Sequence, residues 1–223
     1  MSDPQLPAEM LNHVVDHLRD TKNALGNCCL ISKSWIPRTR KHLFADIEFQ
    51  TEIHLGSWKK TFPDPSNSPA CYTKTLSVGC PQVVTSADAE VGGWIRGFSS
   101  VVHLVVRSQT PFAHRSFSLV PFHGLSSVLK SLRMVVPALP SSRIINLTLS
   151  FPLLEDLTVF TPYDPRADND DNPDMLLPII QPSSPPMLTG SLELLLMDGG
   201  MEPLTRRLLS LPGGIHFRKL ALT

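Results

Sequence analysis

An α/β fold is predicted by this sequence: two or three short amphipathic helices at the N-terminus, followed by an irregular solenoid of parallel strands joined by crossovers. Three observations predict it. Apolar residues in the first thirty or so positions recur at helical spacing. Beyond them, an apolar residue, two of any kind, an apolar residue, one of any kind and a last apolar residue form a triplet that recurs five times, with two weaker copies that open on threonine. The intervals between copies are long enough for the crossover that neighbouring parallel strands require.

The chain is organised around the stretch from Leu6 to Trp35. Met10, Leu11, Val14, Val15 and Leu18 wind into one stripe at a period of 3.6. Pro7 is expected in the first helical turn, where its fixed φ fits and its missing N–H leaves no orphan, and Glu9 favours the positive end of the helix dipole. Arg19-Asp20-Thr21 breaks the helix. A second pattern follows at Ala24, Leu25, Cys28, Cys29 and Ile31 and closes in Ser32-Lys33-Ser34-Trp35. Together these helices carry more apolar surface than so short a segment can hide within itself. Arg38, Arg40 and Lys41 read as a solvated helix face rather than a phosphate site.

Leu6-Pro7-x-Glu9 followed by two apolar residues, the pair Val14-Val15, then Leu18, Asp20, Leu25, Leu30-Ile31-Ser32 and Trp35 have the order and spacing of an F-box, and the stretch resembles that family. The wording from Ser34 to Arg38 is similar to the variant common in mushroom-type fungi, whereas Gly26 and Asn27 depart from the usual leucine-rich second helix. The resemblance implies an F-box domain over residues 1–42 that docks on Skp1, and through it on a cullin. The docking residues it implies are Leu6, Pro7, Met10, Leu11, Val14, Leu18, Leu25, Leu30, Ile31 and Trp35, several of which must instead pack inward. It further implies a non-catalytic adaptor that recognises substrates for an SCF (Skp1-cullin-F-box) E3 ubiquitin ligase, working in the cytoplasm or nucleus.

Over residues 43–223 the triplets fall at Phe44-Ile47-Phe49, Val101-Leu104-Val106, Leu129-Leu132-Met134, Leu154-Leu157-Val159 and Phe217-Leu220-Leu222, with weaker copies at Thr73-Leu76-Val78 and Thr189-Leu192-Leu194. Their middle residues stand 29, 28, 28, 25, 35 and 28 positions apart. That spacing is close to the period of leucine-rich repeats, about 20–29 residues, except once. The long interval contains Asp164 to Pro186, rich in Asp, Asn, Pro and Ser, so a looped-out insertion is expected over 162–187. The asparagine that closes the turn in regular leucine-rich repeats is missing, which makes the predicted solenoid irregular. Many F-box proteins carry such a horseshoe behind the F-box.

Crossover helices are predicted from Ser86 to Phe98, where Val91, Trp94, Ile95 and Phe98 keep helical spacing, and from Glu202 to Leu211. Gln109 to Ser127 has no clean period. Ser141 to Phe151 fits either a strand or a helix, and the short interval around it favours the helix. The chain stops at Thr223 inside a strand pattern with no polar capping segment, the ending expected of a shortened product or a fragment.

In such an arc the residues flanking the inward leucines point to the concave side. They are His103, Val105 and Arg107; Ser131, Arg133 and Val135; Asp156, Thr158 and Phe160; Glu193 and Leu195. His103, Arg107, Arg133, Asp156, Phe160 and Glu193 are the candidates for holding a target protein, because mixed charge around an aromatic suits protein recognition. Ordinary solvated strand residues would read the same way.

Twenty basic and twenty acidic residues leave a formal net charge of zero, which argues against nucleic-acid binding. No apolar run resembles a signal peptide or reaches the length of a membrane span. Cys28, Cys29, Cys71 and Cys80 lack metal or disulfide-framework spacing and are expected to be buried thiols. His13 and His17 lie four apart on the polar side of the first helix without the glutamate of a zinc protease. Asp168-x-Asp170-x-Asn172 begins like a calcium loop, but Pro173 stands where glycine is needed and Ile179 where the bidentate glutamate belongs. No cofactor, metal site or nucleophile motif is predicted. The rival reading is a repeat scaffold for protein interactions whose N-terminal helices merely cap the solenoid. A small enzyme with its site on loops stands third.

Overall fold

The computed structural model describes residues 7–79, 89–107, 120–125, 127–136, 149–162, 191–197 and 219–222. Helix α1 (Ala8–His17) starts one residue later than predicted: Pro7 keeps an extended backbone outside the helix, and its carbonyl accepts from Met10 N at 3.0 Å and Leu11 N at 3.2 Å. Helix α2 (Lys22–Ile31) follows the break at 18–21. After a single 3₁₀ turn (Lys33–Trp35), in which Ser32 Oγ accepts from Ser34 N, a third helix, α3 (Ile36–Leu43), begins with Pro37 in its first turn and ends on Arg40, Lys41 and His42. Proline at the start and cations at the end are the favoured arrangement for a helix dipole. Val15, Leu25, Cys28 and Thr39 are buried among these helices, and none of them belongs to the core cluster of the sheet.

Seven strands follow: β1 (Asp46–Phe49), β2 (Thr75–Val78), β3 (His103–Arg107), β4 (Ser131–Val135), β5 (Asp156–Pro162), β6 (Ser191–Met197) and β7 (Lys219–Leu222). They form one sheet, parallel throughout, whose spatial order is their order in the chain. All seven predicted marker residues share a single register row, Ile47, Leu76, Leu104, Leu132, Leu157, Leu192 and Leu220. Two residues on, Phe49, Val78, Val106, Met134, Val159, Leu194 and Leu222 form a second row. Period-two alternation sends both rows to the same side of the sheet.

The base of the sheet repeats as well. Ala45 O accepts from Lys74 N and Thr75 N, Lys74 O from Val102 N and His103 N, Val102 O from Lys130 N and Ser131 N, and Lys130 O from Glu155 N and Asp156 N, all between 2.7 and 3.0 Å. One shared carbonyl thus fixes where each of these strands begins, and with it the register of the buried rows.

Behind the rows, α5 (Ala89–Arg96) and the 3₁₀ segment Val120–Leu125 pack on each other as crossovers. Trp94, Ile95, Phe98, Phe122, Leu125 and Phe151 are buried there. The predicted helix at Ser86 to Phe98 is therefore present over its described part. In the 3₁₀ segment the buried side chains among those described are Phe122 and Leu125, three positions apart, a spacing too short to set a period. Helix α4 (Glu52–Thr61), between β1 and β2, was not anticipated; Ile53, Leu55 and Trp58 are its large apolar residues, too few for a stripe, and Thr51 Oγ1 caps it by accepting from His54 N at 3.4 Å. Trp58 joins Phe44, Phe49, Phe62 and Phe98 in a ring cluster with centroids 4.7 to 6.4 Å apart. The predicted insertion at 162–187, the crossover at Glu202 to Leu211, Cys80 and most of Ser141 to Phe151 lie outside the described residues.

The weak triplet at Thr73 has a structural counterpart. Two positions before the marker strands begin, Val101, Leu129 and Leu154 are fully buried, and Thr73 occupies the equivalent place with its Oγ1 buried and, among the described residues, without a hydrogen-bond partner. A hydroxyl taken from water with nothing to bond to is destabilising by about 1–3 kcal/mol. Thr73→Val keeps the shape and removes that penalty, so it is expected to raise the urea midpoint by the equivalent of about 1–2 kcal/mol at an unchanged slope.

One cysteine expectation is corrected: Cys28 is buried, but Cys29 is only half-buried and Cys71, on the 3₁₀ turn Pro69–Tyr72, is exposed. Pro69 and Ala70 fill the buried side of that turn, which Ser68 Oγ caps, and leave Cys71 exposed with its Sγ 3.9 Å from Ser68 O.

Candidate docking surfaces

The stripe on α1 divides between inside and outside. Val15 is 1% exposed and forms part of the small helical core, while Met10 (55%) and Val14 (47%) face solvent and Leu11 and Leu18 are half-buried. On α2, Leu25 is completely sealed, whereas Leu30 and Ile31, at the end of the helix, are 85% and 67% exposed. Trp35 is half-buried, Pro7 is exposed, and Leu6 lies outside the described residues. Of the ten residues implied for docking, Leu25 therefore offers no surface: it fills the space among the three helices. Met10, Val14, Leu30 and Ile31 are large apolar groups left in water by a helical unit whose interior is already filled.

Asp16 locks that unit. Arg38 Nε and Nη2 donate to Asp16 Oδ1 and Oδ2 at 2.7 and 2.5 Å, and His42 Nε2 lies 2.7 Å from Oδ1, so α3 is tied to α1 by a two-pronged pair with a third partner. The expectation of a solvated Arg38 is corrected, while Arg40 and Lys41 are exposed as expected. Hydrogen bonds from Arg38 first and His42 second hold the Asp16 carboxyl well below the usual carboxylate range. The folded chain thus binds this proton less readily than the unfolded chain. The contribution is complete above the unfolded carboxyl value of about 4 and is lost as pH falls through the lower folded-state value. Asp16→Asn is accordingly expected to lower stability at neutral pH, with the gap to the parent closing as the pH drops below about 3, when unfolding is followed by circular dichroism. Nothing in the sequence signalled a pair separated by 22 positions.

A second surface is the side of the sheet facing away from the core. His103, Arg107, Arg133 and Phe160 are exposed, Val105, Ser131, Val135, Asp156 and Thr158 half-buried, and Glu193 takes the register position opposite Thr158. The structure thus gathers His103, Arg107, Arg133, Asp156 and Phe160 on one face, as alternation requires. Arg107 Nη1 reaches across β2 to Glu48 Oε1 at 3.1 Å, a partner the sequence reading had not included, and at the foot of the face Lys130 Nζ meets Glu155 Oε1 at 2.8 Å. These pairs are half exposed and set orientation more than stability.

Among the described residues no group of three or more His, Cys, Asp or Glu side chains is arranged to hold a metal ion, and no helix is long and apolar enough to cross a membrane. No family model matches the chain, and no curated protein or solved structure is significantly similar to it.

Proposed function

We propose that this protein is a non-catalytic adaptor whose N-terminal helices form an F-box that docks on Skp1, and whose sheet is a leucine-rich-repeat-like solenoid that holds a target for ubiquitin transfer. The exposure of Met10, Val14, Leu30 and Ile31 carries the reading. A helical cap that served only to finish the solenoid would turn its apolar residues onto the sheet; these four are turned to solvent, at positions that match the family's docking residues. Association that covers them recovers the transfer free energy of each side chain, about 1.5–3 kcal/mol when burial is complete. The opposite side of the sheet, with Arg133, His103 and Phe160, supports the second half of the reading, since a rim of mixed charge around an aromatic suits a protein target.

Co-expression of the full chain with Skp1 tests it. A stoichiometric complex that survives gel filtration is the expected result. Free elution of both proteins at micromolar concentration sinks the adaptor reading and leaves the scaffold.

A further inference from the structure

Among the described residues the sheet ends at β1, which stands first in the sheet order and pairs only with β2. The bonds from Thr75 N to Ala45 O at 3.0 Å and from Gly79 N to Phe49 O at 2.8 Å show which residues turn their backbone groups toward β2. By alternation, the N–H and C=O of Asp46 and Glu48 point the other way, along the free edge. No other backbone segment among the described residues meets them.

Beside that edge runs a groove of about 320 Å³. Its floor is Ile47, Glu48 and Phe49, and its far wall is the α4 face His54, Ser57, Trp58 and Thr61, closed by Phe62. The spacing of three, four and seven along α4 places that wall on one side of the helix. A row of unpaired edge groups next to an apolar slot is the geometry that accepts an extended peptide by strand addition.

Charge selects the occupant. The exposed side chains of β1 on the open face are Asp46 and Glu48; Glu48 is shared with Arg107, and the Asp46 carboxylate meets no ion-pair or hydrogen-bond partner among the described residues. A second copy of β1 laid against this edge brings Asp46 and Glu48 against their own kind, which is unfavourable for cross-strand neighbours. A strand whose basic residues lie opposite these acids, with apolar residues alternating on the groove side, satisfies both faces at once. We propose that the edge of β1 takes, as an eighth strand, an extended segment of a partner protein in which apolar and Lys or Arg residues alternate. The proposal is independent of docking by α1 and α2.

Panning a phage-displayed library of random dodecapeptides against the full chain, followed by synthesis of the enriched sequences, tests it without altering the fold. The expected peptides alternate apolar and basic residues. Each is then N-methylated on every second backbone nitrogen, in one phase or the other. In strand addition only one set of amides faces β1, so one phase is expected to lose at least tenfold in affinity while the other binds as before. The double variant Asp46→Lys, Glu48→Lys is expected to weaken the unmodified peptides by a similar factor. Failure to enrich any peptide, enrichment without alternation, or loss from both phases or neither overturns the proposal.

Discussion

Exchanging Leu30 and Ile31 together for alanine is expected to abolish capture of Skp1 at micromolar concentration while the chain melts as before. Truncation of an anchor that becomes buried in an interface weakens binding by roughly 2–4 kcal/mol, so two anchors place the complex beyond ordinary detection. In the free chain both side chains are mostly in water, 85% and 67% exposed, so little folding energy depends on them. Leu25→Ala provides the contrast. Its side chain is sealed among the helices, so the substitution is expected to lower thermal stability as well as capture. Should the double variant bind Skp1 normally, the exposed helix ends are not the docking surface.

Leu132→Ala is expected to cost about 2–5 kcal/mol, the largest effect of any single change considered in the fold. The residue is fully buried on the central strand β4, between Leu104 and Leu157 in the same row, and its neighbours are held by hydrogen bonds on both sides. They have little freedom to collapse into the vacated space. For a domain stable by about 5–15 kcal/mol, that loss is a large fraction of the total. Leu153→Ala, at a site 51% exposed, is expected to change stability by less than about 0.5 kcal/mol. Urea denaturation of the pair measures the difference directly; equal midpoints contradict the assigned facing of the triplets.

The sheet was legible because its signal is repetition. One triplet means little, but seven markers near a common interval place Ile47 through Leu220 in one row, and the structure pairs them in that order. Helix α1 and the buried part of α5 were legible through period alone. Helix α4 was not, since its one sequence cue, the Thr51 cap, precedes a segment whose key residue is the single Trp58 packed among rings from distant positions. Position on a stripe does not say which side of the stripe a neighbour covers, so Leu25 and Ile31 read alike in sequence and differ completely in exposure. The lock of Asp16 by Arg38 and His42 depends on how α3 returns against α1, which no local pattern specifies.

Because spatial order in the sheet follows chain order, each new strand finds its only upstream partner already in place as the polypeptide leaves the ribosome. The loop closed at each addition is nearly constant in length, so the entropic cost per strand stays nearly level rather than climbing. Growth by single increments is the order this topology favours during synthesis, from β1 toward β7.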